Sequence, residues 1–77
     1  MDTDKPIRFD RHARRRMKWR RISEEEVLEV LREPDVLENS IKGRKNAFKV
    51  MGERHLKVTF KEFSEEILII SAVDKAD

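Results

Sequence analysis

The chain has 77 residues, which is room for one hydrophobic core, and 44% of them are charged, with a net charge of +2. It has no cysteine, and its two histidines, His12 and His55, lie far apart. This excludes disulfides, cysteine redox chemistry and thiolate metal sites, and it disfavours zinc. The longest apolar run, Ile67 to Ile70, is too short for a membrane span of about 20 residues, and the acidic start of the chain lacks the apolar segment of a signal peptide. We therefore expect a cytoplasmic protein that does not contact membranes.

The positive charge is concentrated near the start of the chain. Residues 5–21 contain nine basic residues and one acidic residue, so this segment carries +8 and the rest of the chain carries −6. Seven of the nine are arginine, which binds phosphate with two hydrogen bonds and stacks on bases. This pattern predicts a surface for a polyanion, with RNA as the first candidate. The expected nucleic-acid-binding residues are Arg11, Arg14, Arg15, Lys18, Arg20 and Arg21. The alternatives are a solvated helix face and a docking site for the acidic second helix.

The first predicted helix follows Asp10, which is expected to cap it, and runs to about Arg20. Ala13 and Met17 are four residues apart and give this helix a thin apolar stripe. Trp19 is expected to pack at the far end of the helix, with a partly exposed stacking residue as the alternative.

The second predicted helix begins with a capping box. Ser23 is expected to cap it, while Glu26 reaches back to the backbone of Ser23. The acidic first turn also suits the positive end of the helix dipole. Pro34 ends the helix. The residues expected to form its buried face are Val27, Leu28, Val30 and Leu31.

Strand patterns occupy the remainder of the chain and one short segment before the first helix, residues 7–9. Residues 36–41, closed by a glycine turn, and residues 47–50 are expected to form two strands. Residues 55–61 alternate between apolar and polar, which indicates a strand with one wet face. Residues 66–73 are apolar on both faces and are expected to form the central strand. The predicted fold is α+β, in the order β-α-α-β-β-β-β, with both helices on one face of a mostly antiparallel sheet of four to five strands.

One group of residues has the chemistry needed to cleave RNA. No phosphate-binding glycine loop or metal-ligand cluster is evident, so no cofactor is expected. RNA can be cut without a metal when a base deprotonates the 2′-hydroxyl and cations stabilise the phosphate. His12, Arg16 and Arg20 recur on one helical face and could fill these roles. A structural histidine in the first turn is the alternative. His55 is either a second acid or base or an exposed histidine, and Lys75 is either a site residue beyond the last strand or a solubilising charge.

The spacing of these residues resembles that of a known family. The pattern Phe9-x-x-His12-Ala13-x-x-Arg16-Met17-x-x-Arg20-x-Ile22-Ser23, followed by Val27, Val30-Leu31 and Pro34, is similar to the small prokaryotic family called domain of unknown function 4258. The strand block ending near Ile70 to Val73, with Lys75 beyond it, matches that family's tail. The family commonly has glycine in place of Arg21, so the junction before the second helix is expected to differ slightly.

The resemblance also implies a function. That family is similar in plan to the RelE/ParE-like and BrnT-like toxins, some of which are metal-independent ribonucleases silenced by an antitoxin, while others act on a protein. It implies a single RelE-like domain over residues 1–77 and a toxin-type endoribonuclease with an antitoxin partner. His12 would be the acid or base, and Arg16 and Arg20 would bind or stabilise phosphate. Lys75 would complete the site from the sheet. The alternatives are a non-catalytic nucleic-acid-binding module and a domain that grips an acidic protein.

Overall fold

The computed structural model describes residues 5–75, so the first four residues of the acidic start lie outside the described part. The elements in chain order are β1 (Ile7–Phe9), α1 (Arg11–Arg20), α2 (Glu24–Arg32), β2 (Val36–Asn39), a single 3-10 turn (Ile41–Gly43), β3 (Arg44–Met51), β4 (Arg54–Glu62) and β5 (Ile67–Asp74). The predicted α+β class and element order are confirmed, and the sheet has five strands. Within residues 5–75, neither helix has the length and apolar character needed to cross a bilayer.

The strand order of the sheet is β1-β5-β4-β3-β2. β1 runs parallel to β5, and every other pair of neighbours is antiparallel. The prediction that β5 is the central strand is wrong, because β4 occupies the middle position. β5 is nevertheless paired along both edges, since β1 returns to its free side. An interior strand of this kind carries apolar residues on both faces, which is the pattern seen in the sequence.

Both helices pack on one face of the sheet, where a single core forms. The helices and the junction between them contribute Ala13, Met17, Ile22, Val27, Val30 and Leu31, and the strands contribute Ala47, Leu56, Val58, Phe60, Ile67, Ile69 and Ala72. Leu28 is only half-buried, so its predicted place in this core is wrong. Between β4 and β5, Phe60 pairs with Ile69 and Thr59 with Ser71, which leaves Ile70 as a bulge. The extra residue allows both Ile69 and Ala72 to face the helices.

The two helix starts differ. The capping box of α2 is confirmed: the backbone N–H of Glu26 donates to Ser23 Oγ at 3.1 Å, and the N–H of Ser23 donates to Glu26 Oε1 at 2.9 Å. Asp10 is confirmed as the N-cap residue of α1, although its side chain makes no capping hydrogen bond. Its backbone N–H donates to the Ile69 carbonyl at 2.9 Å instead. The Asp10 carbonyl also accepts from the backbone N–H of Arg14 at 3.0 Å, so the backbone of Asp10 links α1 to β5.

The far edge of the sheet departs from the predicted pattern. β2 ends at Asn39, and Ile41 lies in the 3-10 turn with 69% of its surface exposed, so its predicted place in the strand is wrong. Lys42 follows in the left-handed region, with φ of 56°, which bends the chain out of the strand. All four residues of β2 are exposed. β2 therefore lies outside the part of the sheet that the two helices cover.

We call the sheet face opposite the helices the outer face. Directly paired residues point to the same side of a sheet, so the register assigns its members. It carries Val36 and Glu38 of β2, Arg44, Asn46, Phe48 and Val50 of β3, and His55, Lys57, Thr59 and Lys61 of β4. Asn46, near its middle, is buried and accepts a hydrogen bond from Thr59 Oγ1 at 2.8 Å.

Candidate nucleic-acid interface

Helix α1 contacts the sheet through a narrow stripe. Only Ala13 and Met17 are buried, and they pack chiefly over β5. The other eight residues of the helix are exposed. All six residues predicted to bind nucleic acid are therefore exposed, namely Arg11, Arg14, Arg15, Lys18, Arg20 and, just past the helix, Arg21. We call this basic, exposed side of the helix, together with Trp19, the α1 surface.

Within residues 5–75, almost none of the positive charge of the α1 surface is neutralised by an acidic side chain. Arg14 is the exception, because it lies 3.5 Å from Glu24 and stacks over the ring of Phe9 at 5.3 Å. The other basic side chains of this surface make no ion pair within residues 5–75. Of the other α2 acids, Glu26 binds Arg54 and Glu29 pairs with Arg32, so Glu24 is the one acid of this helix that pairs with α1 within residues 5–75. Docking of α2 therefore does not account for the basic run.

Trp19 projects from the α1 surface into solvent. Its side chain is 88% exposed, so the expectation that it packs at the end of the helix is wrong. The stripe of Ala13 and Met17 does not include its position, and no other part of residues 5–75 covers it. The open space around the indole is lined by Arg14, Arg15, Arg16, Lys18, Trp19 and Arg20. All of these side chains belong to one helix and cannot enclose a cavity. The space is therefore an open groove between cationic side chains.

His12 lies in the first turn of α1, and its side chain is exposed. It makes no side-chain hydrogen bond within the described part of the chain, so nothing there fixes it in a structural role. Arg16 follows one turn later and Arg20 two turns later, and both are exposed. Successive members of this row are about 6 Å apart along the helix axis. The structure therefore brings His12 and Arg16 to adjacent turns of one solvent-facing surface.

Lys75 lies elsewhere. Its backbone N–H donates to the carbonyl of His55 at 2.7 Å, so the two sequence-predicted residues are neighbours. They line a shallow concavity of about 310 Å³ together with Asp35, Val36, Phe48, Lys49, Val50 and Leu56. No residue of α1 lines this concavity. The structure thus groups Lys75 with His55 and does not bring it into one cavity with His12.

Arg54 is the residue that sequence reasoning missed. Its guanidinium donates to both carboxylate oxygens of Glu26, at 3.0 and 2.8 Å, and to Asp74 at 3.5 Å. It also donates to the backbone carbonyls of Arg20 and Arg21, each at 3.1 Å. These carbonyls end α1 and have no partner within the helix. Arg54 therefore anchors the end of the basic helix to α2 and β5, and no local spacing in the sequence signals a contact so distant in the chain.

Arg21 closes α1 in the left-handed conformation, with φ of 55° and ψ of 42°. The N–H of Ile22 returns to the carbonyl of Met17 at 2.9 Å, as in the helix endings for which glycine is usually preferred. The junction therefore needs a left-handed residue, and this chain supplies arginine. A residue with a Cβ is strained in this region of backbone space.

The fold and the α1 surface define a class of small α+β domains with a basic helix laid along an antiparallel sheet. The family model described as "Domain of unknown function (DUF4258)" matches residues 9–74, and the chain belongs to this family. No curated protein and no solved structure matches the chain. Among residues 5–75, no group of three or more His, Cys, Asp or Glu side chains is arranged to hold a metal ion.

Proposed function

We propose that this protein binds single-stranded RNA through the α1 surface. The observation that carries the proposal is Trp19, an indole that is 88% exposed and flanked by cations of which only Arg14 has an ion-pair partner within residues 5–75. Proteins that hold single strands combine cations along the phosphate backbone with aromatic rings on which bases stack. Arg15 and Lys18 lie one turn or less from Trp19, which fits this combination. A duplex would leave the indole without an unstacked base, so a single strand is the better ligand.

Binding is measured with a fluorescein-labelled oligouridylate. The paired substitution Arg15→Gln/Lys18→Gln should weaken it about tenfold at low salt, and should reduce the slope of log K against log salt by roughly 1.4, at about 0.7 per phosphate contact. The matched control is Arg44→Gln/Lys61→Gln, which removes one arginine and one lysine from the outer face. That control should retain wild-type affinity. Equal weakening by both variants, or an affinity insensitive to salt, would refute the proposal.

The stacking part of the proposal has its own reporter. Trp19 is the only tryptophan, and the chain has no tyrosine, so the intrinsic fluorescence arises at the proposed interface. Oligouridylate should quench it, and Trp19→Ser should weaken binding about tenfold, within the range of about 1–3 kcal/mol found for one stacked base. Unchanged fluorescence at saturating RNA would show that the indole does not contact the ligand.

We propose RNA cleavage as a second candidate function, because His12 is exposed on the same surface as Arg16 and Arg20. In this scheme the imidazole takes the proton of a 2′-hydroxyl, whose oxygen attacks the adjacent phosphorus. The bond from phosphorus to the 5′-oxygen then breaks, giving a 2′,3′-cyclic phosphate. That oxygen leaves with a proton from water, and the imidazolium returns its own proton to the resulting hydroxide. The guanidinium groups stabilise the charge on the phosphate. This is the chemistry of a toxin-type, metal-independent endoribonuclease on a RelE/ParE-like or BrnT-like plan, which would be silenced by an antitoxin.

Cleavage is tested by incubating the protein with RNA in EDTA, including ribosome-bound message. Wild type should cut, His12→Ala should be inactive, and the matched variant His55→Ala should remain active. Lys75→Gln determines whether that lysine contributes to the reaction despite lying in the other concavity. If wild type and His12→Ala both leave every RNA intact, the enzyme proposal is refuted, while binding through α1 is judged separately by the oligouridylate titration.

A further inference from the structure

The outer face places two like charges directly opposite each other. Arg44 of β3 pairs in register with Lys61 of β4. Directly opposed side chains have their Cβ atoms about 4.5–5.5 Å apart, and like charges at this spacing are destabilising. Neither side chain makes an ion pair within residues 5–75. An anion supplied from outside the chain would relieve this repulsion.

The surrounding surface is positive and poor in acids. Lys57 lies on the same face of β4, and Lys75 lies at the neighbouring strand end beside His55. Glu38, which pairs with Asn46, is the one acid that the register of β2, β3 and β4 places on this face. Asp35, at the edge of the concavity, already accepts a hydrogen bond from the Val50 N–H at 2.8 Å. The outer face therefore complements a ligand that carries several negative charges.

The outer face also carries exposed aliphatic side chains, which the α1 surface lacks. Val36 and Val50 are 53% and 54% exposed and line the concavity beside Phe48. Lysine ammonium groups already lie over the aromatic rings, with Lys57 5.9 Å from the ring centre of Phe48 and Lys61 5.4 Å from that of Phe63. Aliphatic side chains offer no ring for a base to stack on, and a base would have to displace these lysines. Side chains of a protein can instead bury the valines.

We propose that the outer face docks an acidic, partly apolar segment of a partner protein. Its carboxylates meet Arg44 and Lys61, and its apolar side chains fill the concavity formed by Val36, Phe48 and Val50. The site lies across the sheet from α1, so the chain presents one surface to RNA and another to protein. This inference does not depend on RNA binding or on cleavage.

The probe is a short fluorescein-labelled peptide with a block of glutamates followed by a block of leucines, titrated against the full chain. The two blocks are separate because Arg44 and Val50 are six residues apart along β3, or about 20 Å at about 3.3 Å per residue. Arg44→Gln/Lys61→Gln should weaken its binding about fivefold, the effect expected from two exposed ion pairs. Val50→Ser should weaken it about threefold by removing apolar contact. Arg15→Gln/Lys18→Gln, the matched loss of charge on the α1 surface, should leave peptide affinity unchanged. A peptide with serines in place of the leucines should bind more weakly to the wild type, and one with lysines in place of the glutamates should not bind.

The variants are first checked for folding by thermal melting. Because Arg44 and Lys61 repel each other, their replacement should leave the melting temperature unchanged or raise it. Four outcomes would overturn the inference. The first is an equal loss of peptide affinity in the α1 variant, and the second is equal binding of the serine and leucine peptides. The third is weaker oligouridylate binding by Arg44→Gln/Lys61→Gln, and the fourth is a wild-type dimer that this variant converts to a monomer. The third would assign the face to RNA and the fourth to a second copy of the chain. Failure of RNA binding would leave the peptide titration unaffected, so the two proposals can fail independently.

Discussion

Replacing Arg54 with methionine tests whether one guanidinium holds the end of α1. Its side chain and that of Glu26 are 28% and 26% exposed, and that of Asp74 is 14% exposed, so solvent screens these contacts only in part. Exposed ion pairs contribute about 0–1 kcal/mol, and hydrogen bonds to charged groups about 1.5–3 kcal/mol. Taking about 1 kcal/mol for each carboxylate and about 0.5 kcal/mol for each helix-end carbonyl gives about 3 kcal/mol. A domain of this size has only about 3–5 kcal/mol in total.

We therefore expect Arg54→Met to unfold in little or no urea and to melt roughly 10–20 °C below the wild type. Far-ultraviolet circular dichroism is the appropriate readout, because the exposed indole of Trp19 reports poorly on folding. The matched control is Arg32→Met, since Arg32 and Glu29 are 3.7 Å apart and their side chains are 60% and 40% exposed. That control should lose no more than about 0.5 kcal/mol. If Arg54→Met is no less stable than Arg32→Met, the contacts around Arg54 do not stabilise the fold.

Three further substitutions test other parts of the structure. Arg21→Gly should stabilise the protein by about 0.5–1 kcal/mol, because the relief of left-handed strain exceeds the added entropy of the unfolded chain. Arg21→Ala keeps the strain and should be near neutral in thermal melting. A destabilised glycine variant would contradict this account of the α1 end. Leu31→Ala, at a fully buried position, should cost about 2–5 kcal/mol and leave the chain largely unfolded by circular dichroism; a near-native melting temperature would show that the core repacks. Trp19→Ser should keep the wild-type melting temperature within about 3 °C, because the ring buries almost nothing; a large decrease would mean that the indole supports the fold.

The parts of the fold that the sequence predicts are those set by contacts between near neighbours in the chain. The capping box of Ser23 and Glu26 spans three residues, and the stripe of Ala13 and Met17 spans four, so both are visible as spacing. The period-two pattern of β4 likewise identifies its buried face. Because the apolar stripe of α1 is narrow, most of the helix surface does not contact the sheet, and the arginines of α1 are therefore exposed.

The remainder depends on contacts that link distant parts of the chain. The middle position of β4 follows from the return of β1 to the outer edge of β5, and no local pattern records that pairing. Arg54 binds groups that are twenty to thirty-four residues away in sequence. Whether Trp19 is covered depends on where α1 crosses the sheet, and the grouping of Lys75 with His55 depends on the alignment of β4 with β5. Hydrophobic periodicity in the sequence does not show where α1 crosses the sheet or how β4 is aligned with β5.

The parallel pairing of β1 with β5 has a consequence for the order of events during synthesis. Ile7 pairs with Ile67 and Phe9 with Ile69. β1, the first described strand, therefore cannot pair until β5, the last one, has been synthesised. The apolar stripe of α1 likewise finds its main support on β5. A nascent chain that has emerged only as far as β4 therefore carries an arginine-rich segment with nothing to dock on, and short isolated helices are marginal in water. Such a segment leaves the ribosome, itself a dense source of RNA, before it acquires its native shape.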